Sequence, residues 1–154
     1  MAVVLAAGLD SGVYKLLLFL HIVAVVAAFA PLVVQTPLLR QLERSRRGDI
    51  PAVVGGLLGN NRRVHAPSLI LAGFFGILLV ATSDDVWKFS QAWVSLAFLV
   101  WIAMNGVLHG VQLPAQRKLA KGDRSMQQRL DLADGILALL FLLMVVLMIW
   151  RPGS

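Results

Sequence analysis

The chain alternates long apolar runs with short polar, arginine-rich breaks. Runs of about 20 mainly apolar residues are long enough to cross a bilayer, and four segments qualify: roughly Val13 to Thr36, Ala66 to Thr82, Phe89 to Leu113 and Leu132 to Trp150. The pattern predicts an all-α, up-down four-helix bundle, a single membrane domain covering residues 1–154. Asp10 or Ser11 is expected to cap the first helix, and the preceding "MAVVLAAG" reads as an interfacial lead-in rather than a cleaved signal, since no positive charge opens it.

Between the first two runs, "TPLLRQLERSRRGD" predicts a separate short amphipathic helix that starts at Pro37, carries Leu38, Leu39 and Leu42 on one side and ends at Gly48. Pro31 is expected to kink the first span by withdrawing a backbone donor. The glycine-rich "IPAVVGGLLGNNRRV" reads as a second surface helix or a loop in the headgroup region.

Composition supports a membrane protein. Of 154 residues, 58% are hydrophobic and 14% charged, and the mean hydropathy is +0.79, outside the range of soluble domains. The net charge of +6 would suggest nucleic acid in a soluble chain, but the charges sit where topology needs them. Arg40, Arg44, Arg46, Arg47, Arg62 and Arg63 fall in the first loop and Arg117, Lys118, Lys121, Arg124 and Arg129 in the third, leaving Lys15, Lys88 and Arg151 for the other side. The positive-inside rule then places both basic loops in the cytoplasm of a bacterial inner membrane and both termini outside. Tyr14, Trp87, Trp93 and Trp150 gather at the outer ends as an interfacial belt. The basic loops suit anionic lipid headgroups, and no nucleic-acid partner is expected. With no cysteine, disulfides and thiolate chemistry are excluded.

Ionisable groups inside a span are costly and usually mark function. His21 shares a stripe with Ala24 and Ala28 and lies about 13 Å below the outer end by helical rise. It is either a packed histidine bonded to a carbonyl or an axial haem ligand, with Met144 of the last helix as a conceivable second ligand. Ser68, Ala72 and Gly76 form a small-residue ridge on helix two, continued by His65. Asn105 and His109 share a face of helix three beside Gly106 and Gly110, and Asp131, Asp134 and Ala138 share a stripe on helix four. His65, His109 and Asp134 are either a metal site near the inner surface or a cluster that interfacial arginines solvate. Asn105 is read as a structural polar group. No span carries a nucleophile, a base and an orienting acid together, so no catalytic residue is assigned.

The segments "YKLLLFLHIV", "RRVHAPSLILAGFFGILLV", "LPAQRKLA" with its basic hairpin, and "LMVVLMIWRPG" resemble a bacterial family of predicted integral membrane proteins, the domain of unknown function 2269. That likeness implies a four-helix membrane fold and no particular chemistry. "YKLLLFLHIVAVVAAFA" with "VLHG" and "QRKLAKGDRS" is more distantly similar to the HemJ type of protoporphyrinogen oxidase, and the helix-one histidine pattern to copper-resistance membrane proteins. The HemJ likeness implies haem b held by His21. The lysine that family carries in its third helix has no counterpart in "QAWVSLAFLVWIAMNG", where Ser95 lies near its place. The leading expectation is therefore an accessory component of a larger membrane complex or a homo-oligomer, without demonstrable enzyme activity. A haem-binding redox protein is the alternative, and metal handling at the inner side a weaker one.

Overall fold

The computed structural model describes residues 9–45 and 50–153. Arg46, Arg47, Gly48 and the lead-in before Leu9 lie outside these residues, as does the side chain of Arg44. Among the described residues four helical rods are long and apolar enough to cross a membrane, and no strand is present. The first is α1 (Gly12–Ser45). The second joins α2 (Ile50–Asn60) to α3 (Ala66–Ala81) through a π-helical turn, Asn61–His65. The third joins α4 (Ala92–Val107) to α5 (Leu113–Ala120) through another, Leu108–Gln112. A short 3₁₀ turn, Arg124–Met126, leads into the fourth, α6 (Gln127–Trp150).

The helix starts follow local chemistry. Ser11 Oγ accepts the Tyr14 amide at 3.1 Å, an N-cap for α1. The loop between α3 and α4 turns through Asp84 and Asp85, both with positive φ (54° and 62°), a conformation that aspartate tolerates better than most residues. Ser83 braces it by accepting the Trp87 amide at 2.9 Å.

Two expectations change. α1 runs unbroken past Pro37 to Ser45, so no separate helix begins there. A proline removes one donor but leaves the carbonyl free to be served from elsewhere, so the helix carries through both Pro31 and Pro37. The segment 50–65 is neither a loop nor a separate surface helix; it is the arginine-rich end of the second rod, and Val54 within it is fully buried.

α1 packs mainly on α3, α4 on α6 and α2 on α5, with lighter α3–α4 and α1–α6 contacts closing the ring. The small-residue ridge decides the closest pair: Ala24 and Ala28 of α1 are buried against the side on which α3 buries Ala72. Small side chains let two backbones approach, which in lipid gains more than leucine burial does. The main apolar core runs through Ala28, Phe29, Leu69, Val100, Met104, Leu108 and Leu137, with Phe29 stacked on Phe141 at 3.9 Å between centroids.

A second, separate core sits at the arginine-rich end: Leu39, Val54, Ala115, Leu119 and Leu130. Its position follows from length. A hydrocarbon layer of about 30 Å takes roughly 20 helical residues. Counted from the Tyr14, Ala81, Ala92 and Trp150 ends, that layer finishes near Gln35, Asn61, Gln112 and Leu130. The rods continue past those positions, so α2, α5 and the end of α1 build a small helical cap beyond the membrane core, around which Arg40, Arg62, Arg63, Arg117, Lys118, Lys121, Arg124 and Arg129 are exposed.

Candidate functional site: a buried polar layer between two cores

The two cores are separated by a layer of polar side chains: Gln35, Asn61, His65, Gln112, Gln116 and Asp134, each at most 7% exposed. Two prolines shape it. Pro67 and Pro114 each stand two residues after a π-helical turn, in "VHAP" and "VQLP". A proline has no N–H for the carbonyl four residues back, and its ring crowds that carbonyl, so the helix widens there. In the widened turns Ala66 N–H reaches back five residues to the Asn61 carbonyl and Leu113 N–H to that of Leu108.

On the cap side of the layer, Gln35 and Asn61 pair their amides reciprocally, and Asn61 Nδ2 also donates to Gln116 Oε1 at 3.2 Å. That contact fixes the register of the second and third rods. In antiparallel neighbours, one turn toward the membrane from Asn61 is His65, and one turn toward the membrane from Gln116 is Gln112. These two residues end their respective π turns and come to one level. Gln112 Nε2 donates to Asp134 Oδ1 at 2.6 Å, which brings α6 into the same layer. Both ring nitrogens of His65 and Oε1 of Gln112 are buried and have no hydrogen-bond partner among the described residues.

The residues singled out from the sequence distribute as follows. His65 and Asp134 belong to this layer, whereas His109 is exposed. Among the described residues no three histidine, aspartate or glutamate side chains gather closely enough to hold one metal ion. Asp131 and Ala138 are exposed while Asp134 is buried, so the stripe expected on α6 is split. Asn105 donates to the Trp101 carbonyl one turn back at 2.9 Å, a structural role within its own helix. Ser95 donates to the Phe89 carbonyl at 3.0 Å at the opening of α4.

His21 faces the bundle as expected. Its Nδ1 lies 2.9 Å from the Ala72 carbonyl, so it carries the proton and donates, and its ring rests over Gly76, whose added Cβ would come within 3.5 Å of His21 Cε1. The Phe29–Phe141 stack sets the register of α1 against α6. Eight residues outward from Phe29 is His21, and eight outward from Phe141 is Ile149, so Met148 is level with His21 and Met144 lies roughly 7 Å deeper.

Sequence reasoning passed over Gln35, Asn61, Gln112 and Gln116. A usable signal existed: Asn61 and His65 are four apart, as are Gln112 and Gln116, and each set adjoins a proline inside an apolar rod. In membrane proteins paired, proline-interrupted helices point to a binding region.

The helices and their interior define a multi-pass helical membrane protein with a polar layer buried where the membrane core meets an arginine-rich cap. The chain matches no family model, no curated protein and no solved structure.

Proposed function

We propose that this is a small multi-pass protein of the bacterial cytoplasmic membrane that acts as a subunit of a larger membrane assembly, a second copy of this chain being the simplest partner. Its arginine-rich cap faces the cytoplasm and both termini face outward, in line with the positive-inside rule. The observation that carries the assembly reading is on α4. Ala103, Gly106 and Gly110 lie on the outside of the bundle, and a Cβ added at either glycine would meet nothing within 4 Å. α6, which packs on α4, exposes Gly135 and Ala138 at the corresponding level. Against lipid such residues gain nothing, whereas against another helix they permit the close approach that drives association. The resemblance to small membrane families without a soluble domain is in keeping with an accessory role.

The test exploits the absence of cysteine. Gly106→Cys and Gly110→Cys, oxidised in native membranes, should give a cross-linked species, and Val26→Cys, exposed to lipid on α1 rather than on the α4 stripe, should not. Monomer at all three positions would overturn the assembly reading.

A second reading has one observation in its favour. Because Nδ1 of His21 is held by a backbone carbonyl, Nε2 keeps the lone pair, which is how a metal-bound imidazole is commonly oriented. His21 thus fits one axial position of a haem, as its resemblance to the HemJ type implies, while Met144 is set too deep to share that level. The absorbance of the purified protein with and without dithionite tests it: a Soret band lost in His21→Ala would support haem, and a colourless preparation would remove it.

A further inference from the structure

We propose that the two π turns form an occluded site for one small guest that both donates and accepts hydrogen bonds, a water molecule, seated between the His65 ring and Oε1 of Gln112. The two turns are built alike. In "NRRVHAP" and "LHGVQLP" the last residue of the π turn is polar, is about 1% exposed and has unpartnered atoms, and the proline follows two residues later. The register set by Asn61 and Gln116 brings the two to one level. Such coincidence is not expected of chance core polarity, because a buried polar atom without a partner is destabilising.

The donors and acceptors specify the guest. A neutral imidazole offers one N–H and one lone pair, and Gln112 Oε1 offers lone pairs alone. A guest must accept from the ring and donate to the amide oxygen, which water does and an anion or a saturated hydrocarbon does not. Gln112 cannot simply turn to meet His65, because its Nε2 is committed to Asp134. Leu69 and Leu108 lie one turn toward the membrane from His65 and Gln112, and Met104 one turn further, none more than 2% exposed, while the bonded Gln35–Asn61–Gln116 amides lie one turn toward the cap. The site lies on different helix faces from the Gly106 and Gly110 surface, and its test is independent of the assembly reading.

The experiment uses the full chain in lipid nanodiscs with ¹⁵N-labelled histidine, of which there are three. Magnetisation transferred from water to each imidazole is measured, with His21→Asn and His109→Asn assigning the signals. The expected result is transfer to His65 that is lost in Gln112→Leu. Absence of transfer in the wild-type protein would overturn the proposal. Melting temperature supplies a second readout that survives a poorly folded variant. If the guest is present, His65→Leu lowers it; if the layer is dry, replacing that unpartnered imidazole with an apolar side chain raises it, and that result also overturns the proposal.

Discussion

Gly73 lies where α3 meets the Trp101 indole, and Gly73→Ala is the sharpest probe of that contact. A Cβ built at Gly73 would overlap Cε2 of Trp101 and stand 2.5 Å from Cζ2 and Nε1. Ordinary carbon contacts begin near 3.5 Å, so the ring must move by more than about 1 Å. It cannot do so freely, because its Nε1 donates to the Leu69 carbonyl at 2.8 Å. The substitution therefore combines overpacking, typically about 1–3 kcal/mol, with loss of an interhelical hydrogen bond averaging about 0.6 kcal/mol in membrane proteins. A destabilisation of about 2–3 kcal/mol is expected. It can be read from denaturing-detergent titration followed by circular dichroism. The double variant Gly73→Ala/Trp101→Leu should recover most of the overpacking cost, since the clashing ring is gone. If Gly73→Ala is within about 0.5 kcal/mol of wild type, the close approach of α3 and α4 at this level is wrong.

Three further outcomes follow from the geometry. Asn61→Ala leaves the buried amides of Gln35 and Gln116 short of partners and should cost about 2 kcal/mol or more by the same titration. Phe141→Leu removes the stack on Phe29, worth about 0.5–1.5 kcal/mol beyond packing, and a double-mutant cycle with Phe29→Leu isolates that coupling. Asp123 accepts from the hydroxyl and amide of Ser125 at 2.6 and 3.1 Å, and chiefly the Ser125 hydroxyl holds its carboxyl below the ordinary carboxylate range. A depressed carboxylate contributes stability above its unfolded-state value and loses it as pH falls through the folded one. The gap in stability between wild type and Asp123→Ala should therefore close in acid, and a gap unchanged from neutral to acid pH would contradict this role.

What the sequence determined is what depends on composition and local period. Four apolar runs, capped and separated by turns, are enough to specify four spanning helices, because lipid offers a backbone no other way to satisfy its polar groups. Helical spacing also told which face of α1 packs: Ala24, Ala28 and His21 turn inward together. The Ala72–Gly76 ridge was legible for the same reason. The tertiary structure decided the rest. That 50–65 continues the second rod, and that a second core forms around Val54 and Leu119, depends on weakly apolar helices finding each other across the bundle. The polar layer is of the same kind. Gln35, Asn61, Gln116, Gln112 and Asp134 come from all four rods, and no local pattern encodes the register that brings them together. Local sequence fixes the helices and their apolar faces; only the antiparallel register of the assembled rods determines which buried polar groups share a level and which, like His65 and Gln112, are left with atoms to satisfy.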